Sequence, residues 1–255
     1  MLRKKLLILF GTIGITIAFN GCNDLGKGSY QVFKGVPSVL RYESEIGKFT
    51  IATPDGSFIA PELTTFQDGD CIFADYKIDF DNQPYSYVIA SEIVPTWIDQ
   101  SRISESSNPG NLDDFDTPIY NSAIYSASPN YNGKVFFKIG LKKAQNQVAE
   151  YNLLYDVNEL SDQYGTKNIY LKAKLTGGGD VLESAKKEEY FDYAFDLGAL
   201  LFVAGRDTII NKGSSSEQKY KYLKVNMKYA TTDEKGTPVY ENSLVNNSLV
   251  LWLKR

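Results

Sequence analysis

The sequence predicts an all-β chain: a small OB-like barrel followed by an antiparallel β-sandwich. Three observations predict it. Short segments alternate apolar and polar side chains, which is the period of a half-buried strand. Gly, Pro, Asn and Asp clusters separate them, and 18 Tyr and 14 Phe supply side chains that suit strands. A run rich in Ser, Asn, Asp, Gly and Pro over residues 99–119 divides the strands into a shorter and a longer set.

The first segment belongs to neither module. Arg3, Lys4 and Lys5 are basic, residues 6–19 are apolar apart from Gly11, Thr12, Gly14 and Thr16, and Asn20-Gly21-Cys22 follows. A basic start, a short apolar run and a small residue before the cleavage point make residues 1–21 a secretory signal peptide. Cys22, directly after the small residue, marks it as a lipoprotein signal. Its thiolate can form a thioether with a diacylglycerol, and Gly21 lets a peptidase reach the bond. Phe19 stands where such signals usually have Leu. An ordinary secretory signal or an uncleaved anchor are the competing readings, but the apolar run is short of the ~20 residues of a spanning helix. Acyl chains on Cys22, palmitate among them, would tie the chain to a bacterial outer membrane. The periplasmic and cell-surface faces both fit. Residues 22–29 form a polar tether with two glycines, able to let the folded part stand off the membrane.

Residues 30–98 carry the barrel. Strands are expected at 36–42, 48–53, 57–60, 71–80 and 85–94. The turn Pro54-Asp55-Gly56 has a mechanism, since Pro presets φ and Gly supplies a positive φ. In the fourth strand Ile72, Ala74, Tyr76, Ile78 and Phe80 share one face and Phe73, Asp75, Lys77 and Asp79 the other. Five short strands punctuated by turns predict a closed or nearly closed OB-type barrel. Residues 99–119 are expected to be an interdomain linker or a long surface loop, being too poor in large apolar groups to order themselves.

Residues 120–255 are β again. Strands are expected at 134–142, 148–157, 168–175, 219–230 and 248–254. Residues 189–197 fit either a strand or a helical turn. One-sided polarity over this length predicts an antiparallel sandwich.

Charge and composition exclude several functions. Without residues 1–21 the chain holds 24 basic and 31 acidic side chains, a net charge of −7. No basic field exists to attract nucleic acid, so none is expected as a partner. There is no histidine. That removes Ser-His-Asp and Cys-His catalysis and the usual zinc ligand. With Cys22 acylated, Cys71 has no partner for a disulfide, and it is expected to be a small buried residue.

Three stretches carry a resemblance: residues 53–63 (Thr53-Pro54-Asp55-Gly56 through Glu62-Leu63), Gly69-Asp70-Cys71-Ile72, and residues 76–83 (Tyr76-Lys77-Ile78-Asp79 through Gln83). Together they resemble the NigD-like lipoproteins of Bacteroidota envelopes, with Phe195-Asp196-Leu197 as a weaker echo. The resemblance implies an OB-like domain, then a β-sandwich, behind a lipidated cysteine. It brings a link to bacteriocin immunity through the family name, and no catalytic motif.

The candidate site residues weigh as follows. Asp79, Asp81 and Asn82 gather oxygens at a turn but lack the glycine and closing glutamate of a calcium loop, so a polar hairpin turn is expected. Asp113, Asp114 and Asp116 could supply a glycosidase carboxylate pair; solvated loop acids are the plainer reading. The tyrosines could stack on sugar rings or fill cores. Trp97 is expected to pack between the modules. The leading expectation is a non-enzymatic envelope lipoprotein that binds a protein or glycan, with no catalytic, metal or cofactor site and lipidation at Cys22. The alternatives are a pilus subunit matured by cleavage after a basic residue such as Arg41, and a carboxylate-dependent glycan hydrolase.

Overall fold

The computed structural model describes residues 29–44, 46–84, 87–159, 163, 165–178, 183–211, 217–243 and 249–254. The signal peptide, Cys22 and the tether up to residue 28 lie outside the described residues.

The barrel is built from β1 (Tyr30–Glu43), β2 (Lys48–Ala52), β3 (Ser57–Ile59), β4 (Cys71–Asp79) and β5 (Ser91–Trp97). The order is β3-β2-β1-β4-β5, with every neighbouring pair antiparallel. The sheet curls without closing into a continuous barrel: its β3 edge reaches the segment just before β5. The Ile59 N–H donates to the Val88 carbonyl at 2.8 Å, and the Ala90 N–H to the Ile59 carbonyl at 2.9 Å, a single parallel bridge. The barrel is thus nearly closed, pinned at one point. Its interior holds Leu40, Ile51, Ile72, Ala74, Tyr76 and Ile78, with Phe33 stacked on Tyr76 at 4.7 Å.

Two irregularities let a short sheet bend this far. Between Phe33 and Val36 the β1–β4 register slips, and Gly35 takes φ +58° there. An extra residue in a left-handed conformation increases local twist, and only glycine adopts it without cost. The Gly35 N–H donates to the Asp75 carboxylate at 2.7 Å. The second irregularity moves the fifth strand to Ser91–Trp97, beyond the expected 85–94. The Gln83 amide explains the shift. It donates to the Asp79 carbonyl at 2.6 Å and accepts from the Ile89 N–H at 2.7 Å. A side chain thereby takes the place of a ladder, and strand pairing starts later.

The sandwich has two sheets. The smaller runs β6-β12-β9-β8: β6 (Asp99–Arg102), β8 (Ile119–Ala127), β9 (Lys134–Lys143) and β12 (Lys187–Asp196). The larger contains β7 (Ser104–Glu105), β10 (Val148–Tyr155), β11 (Thr166–Thr176), β13 (Arg206–Asn211), β14 (Glu217–Thr232), β15 (Pro238–Asn242) and β16 (Leu249–Lys254). Its order is β13-β14-β11-β10-β7, and β15 and β16 both pair with β14. Between the sheets lie Phe137, Ile139, Leu141, Leu153, Ile169, Leu171, Phe195, Leu223 and Val225. Residues 189–197 resolve as strand through Asp196. A short helix α1 (Gly198–Ala204) follows and buries Leu200 and Leu201.

The sandwich departs from the expectation in two ways. It is mixed, because β6/β12, β7/β10 and β11/β14 run parallel. Parallel neighbours arise where the chain leaves one sheet and returns through the other, which alternation along single strands does not reveal. Residues 99–119 are also more than a linker. β6 edges the small sheet and β7 edges the large one. Ile103 sits at the corner, its N–H donating to the Asp196 carbonyl at 3.0 Å and its side chain in the core. One edge strand that switches sheets forms a corner of the sandwich.

Candidate functional site: the open end of the barrel

The barrel meets the sandwich along a dry seam. Val39, Ala52, Cys71, Ile98, Tyr131, Phe136 and Ala194 form one buried cluster drawn from both modules. Tyr131 is its centre. It ends a 3-10 turn (Pro129–Tyr131) that Ser128 caps through the Asn130 N–H. Its hydroxyl donates to the Pro37 carbonyl at 2.6 Å and lies 3.0 Å from Ser126 Oγ. Burial holds its phenol well above the ordinary value. Arg41 donates to the Tyr131 carbonyl at 2.8 Å, and Asn130 donates to the Thr53 carbonyl at 2.9 Å. Cys71 is fully buried here, as expected, and desolvation pushes its thiol up to about 12. A thiol held protonated is a poor nucleophile. Its place in the seam is packing.

Beside the seam the barrel wall ends. Trp97 faces Ile72 in the last pair of the β4–β5 ladder, on the inward-pointing row. Among the described residues no further strand pair follows it in this ladder. The indole is 58% exposed and stacks on Phe66, with ring centroids 4.8 Å apart. This corrects the expectation that Trp97 packs between the modules. The neighbouring Ile98 fills the seam instead, because successive strand residues point to opposite faces. A second exposed aromatic, Tyr42, meets Phe49 edge-on at 5.3 Å. The loop that carries Phe66 joins the two pairs: Asp68 accepts from the Tyr42 N–H at 3.0 Å, and the Gly69 N–H donates to the Leu40 carbonyl at 2.8 Å. Lys134, ion-paired to Asp196 at 3.2 Å, borders this loop from the sandwich side. The result is a fixed aromatic platform with polar margins. Such a surface suits a sugar ring or a flat apolar side chain. The sequence reading missed Phe66. The available signal was its setting between Thr65 and Gln67 in a loop; in the structure it is half-buried against the barrel core, with Trp97 stacked on it.

The acidic candidates are occupied by the fold. Residues 106–118 form a strap over the outer face of the large sheet. Asp114 pairs with Lys172, which also donates to the Asn111 carbonyl at 2.6 Å. The hydrogen bond from Lys172 to Asp114 holds that carboxyl below its usual value. Asp116 accepts from the Leu175 N–H at 3.1 Å, and Asp113 shares a local turn with Asn111. Tyr240 donates to the Pro109 carbonyl at 2.9 Å. These acids tie the strap down. At the β4 turn, Asp79 accepts from Asn82 at 2.8 Å, and Asp81 accepts from the Ser29 N–H and hydroxyl at 2.6 and 2.8 Å. In place of the expected hairpin turn, Asp79 caps a 3-10 turn (Phe80–Asn82) and Asp81 ties that turn to the start of β1. Among the described residues, no three His, Cys, Asp or Glu side chains gather as a metal cage. β1 is a central strand, so cleavage after Arg41 would cut through the middle of the barrel sheet.

Comparison with known proteins agrees with this architecture. A family model described as a lipoprotein OB domain matches residues 28–86. The fold resembles that of an uncharacterized protein from Parabacteroides merdae: TM-score 0.56, 14% identity, covering 86% of this chain and 97% of that one. A NigD-like immunity protein from Bacteroides caccae is also similar, with a TM-score of 0.45 and 12% identity over 89% of this chain and 98% of that one. No curated protein is significantly similar in sequence. The order implied by the NigD-like resemblance, an OB module and then a β-sandwich, is the order found. In sequence, residues 28–86 are thus similar to a lipoprotein OB domain.

Proposed function

We propose that the chain is a non-enzymatic lipoprotein of the bacterial outer membrane, anchored through acyl chains on Cys22, that binds an envelope protein or glycan. The open end of the barrel is the binding surface. The observation that carries this reading is Trp97, exposed on a strand end and stacked on Phe66. An exposed aromatic held in place by a stacking neighbour can serve as the anchor that a partner covers. The seam supports it by fixing the platform relative to the sandwich. A link to bacteriocin immunity rests on the family name alone.

The test is covalent crosslinking in intact cells, followed by affinity capture and mass spectrometry, with a glycan array run on the same purified protein. Wild type should capture one dominant envelope protein or retain one glycan class, and Trp97→Ala should lose it. Capture unchanged by Trp97→Ala would move the site elsewhere. A ladder of self-linked species would favour a polymer.

A further inference from the structure

The chain enters the barrel at a pole that carries its own apolar surface. Tyr30 is 56% exposed, Val32 50% and Phe80 51%. Tyr30 and Val32 share the outer face of β1, opposite Asp79 and Lys77 of β4. The Phe80 N–H donates to the Ser29 carbonyl at 2.8 Å, which sets Phe80 beside the entry point. Lys77 lies 4.6 Å from the centre of the Tyr30 ring. Ser29 is itself clamped by Asp81.

We infer that this pole rests on the lipid surface to which the chain is anchored, an inference that depends on acylation of Cys22. The length of chain between the two points makes the argument. Six residues separate Cys22 from Ser29. Even fully stretched, that segment reaches only about 25 Å. The barrel itself is roughly 25–30 Å across. The tether is too short to turn another face of the barrel to the bilayer for long. It keeps Tyr30, Val32 and Phe80 at high effective concentration against the headgroups. Aromatic rings with a nearby lysine suit that interfacial layer. The pole also carries Asp79, Asp81 and Glu92, so the attraction is apolar and not a response to anionic lipid. The tether therefore docks the barrel instead of holding it away. Trp97, near the other end of the barrel sheet, stays in water.

The test uses the full acylated chain in vesicles of phosphatidylethanolamine and phosphatidylglycerol. An environment-sensitive fluorophore is attached at Val32→Cys, at Phe80→Cys, or at Val203→Cys on α1. Cys71 is buried and Cys22 is blocked by its thioether, so the label selects the new thiol. Labels at 32 and 80 should shift to the blue, brighten, and be quenched by spin-labelled lipid. The label at 203 should behave as in the soluble Cys22→Ser chain. Vesicle-bound protein whose labels at 32 and 80 stay water-like would overturn the docking and leave the anchor intact. A chain that neither carries acyl mass on Cys22 nor floats with vesicles would overturn the anchor, and the docking with it.

Discussion

The barrel treats its two aromatic regions differently. At the seam, Tyr131 is fully buried, its hydroxyl is satisfied by Pro37, and its ring lies against Phe136 at 5.1 Å. At the open end of the barrel wall, Trp97 stacks on Phe66 and stays more than half exposed. Both are large rings with a polar handle. The difference is in what pairs with the handle and in whether a second module arrives to cover the ring. An aromatic that is enclosed and hydrogen-bonded holds the fold together. One that is fixed but uncovered can act on something else. The seam should therefore govern stability, and the open end should govern capture.

Substitutions can break or sharpen that division. The largest effect is expected from Tyr131→Ala, which opens a cavity and leaves buried polar groups unpaired. The cost should be about 3–5 kcal/mol, read from denaturant unfolding. Loss of less than about 1 kcal/mol would mean that the modules are not held through this ring. Ile103→Ala should cost about 2–4 kcal/mol, since it empties the corner where one edge strand changes sheets.

The seam should also weaken in alkali. Burial raises the Cys71 thiol to about 12 in the folded chain. The unfolded thiol titrates near 9, so the contribution is fully present below that pH and is lost as the pH rises towards 12. Between pH 9 and 10 the fall should be about 1 kcal/mol. Comparing wild type with Cys71→Ala isolates it, because the substituted chain should show a flatter profile over that interval.

A smaller effect should follow Asp114→Asn on the strap. The carboxylate is largely exposed, so the ion pair with Lys172 is worth about 1 kcal/mol or less. Its lowered pKa means that the contribution is present at neutral pH and is lost as the pH falls below about 4. Hydrogen exchange should quicken over residues 106–118 while the core stays protected. The smallest change in stability, under about 1 kcal/mol, belongs to Trp97→Ala.

Much of the fold can be read from the sequence. Alternation locates β4, β9, β10, β11 and β14 to within a few residues, because each has one wet face and one dry one. Two things escape it. Composition marks residues 99–119 as unstructured, yet Ile103 finds a core and Lys172 finds Asp114 only after distant strands have come together. Position misplaces Trp97 for a related reason. Being at a module boundary does not decide which way a side chain points, and here the ladder register turns Ile98 into the seam and Trp97 away from it. The strap acids and Trp97 thus exchange their expected parts, and both exchanges depend on long-range pairing.

The most direct test places a photoreactive phenylalanine at Phe66, or at Phe202 on α1. Phe202 is the more exposed of the large apolar residues on the sandwich, at 68%, and has Lys221 over its ring. Irradiation of intact cells should give one discrete adduct from position 66 and none from position 202. Adducts from 202 alone, or none from 66 in a protein that is folded and membrane-bound, would contradict the open end of the barrel as the binding surface.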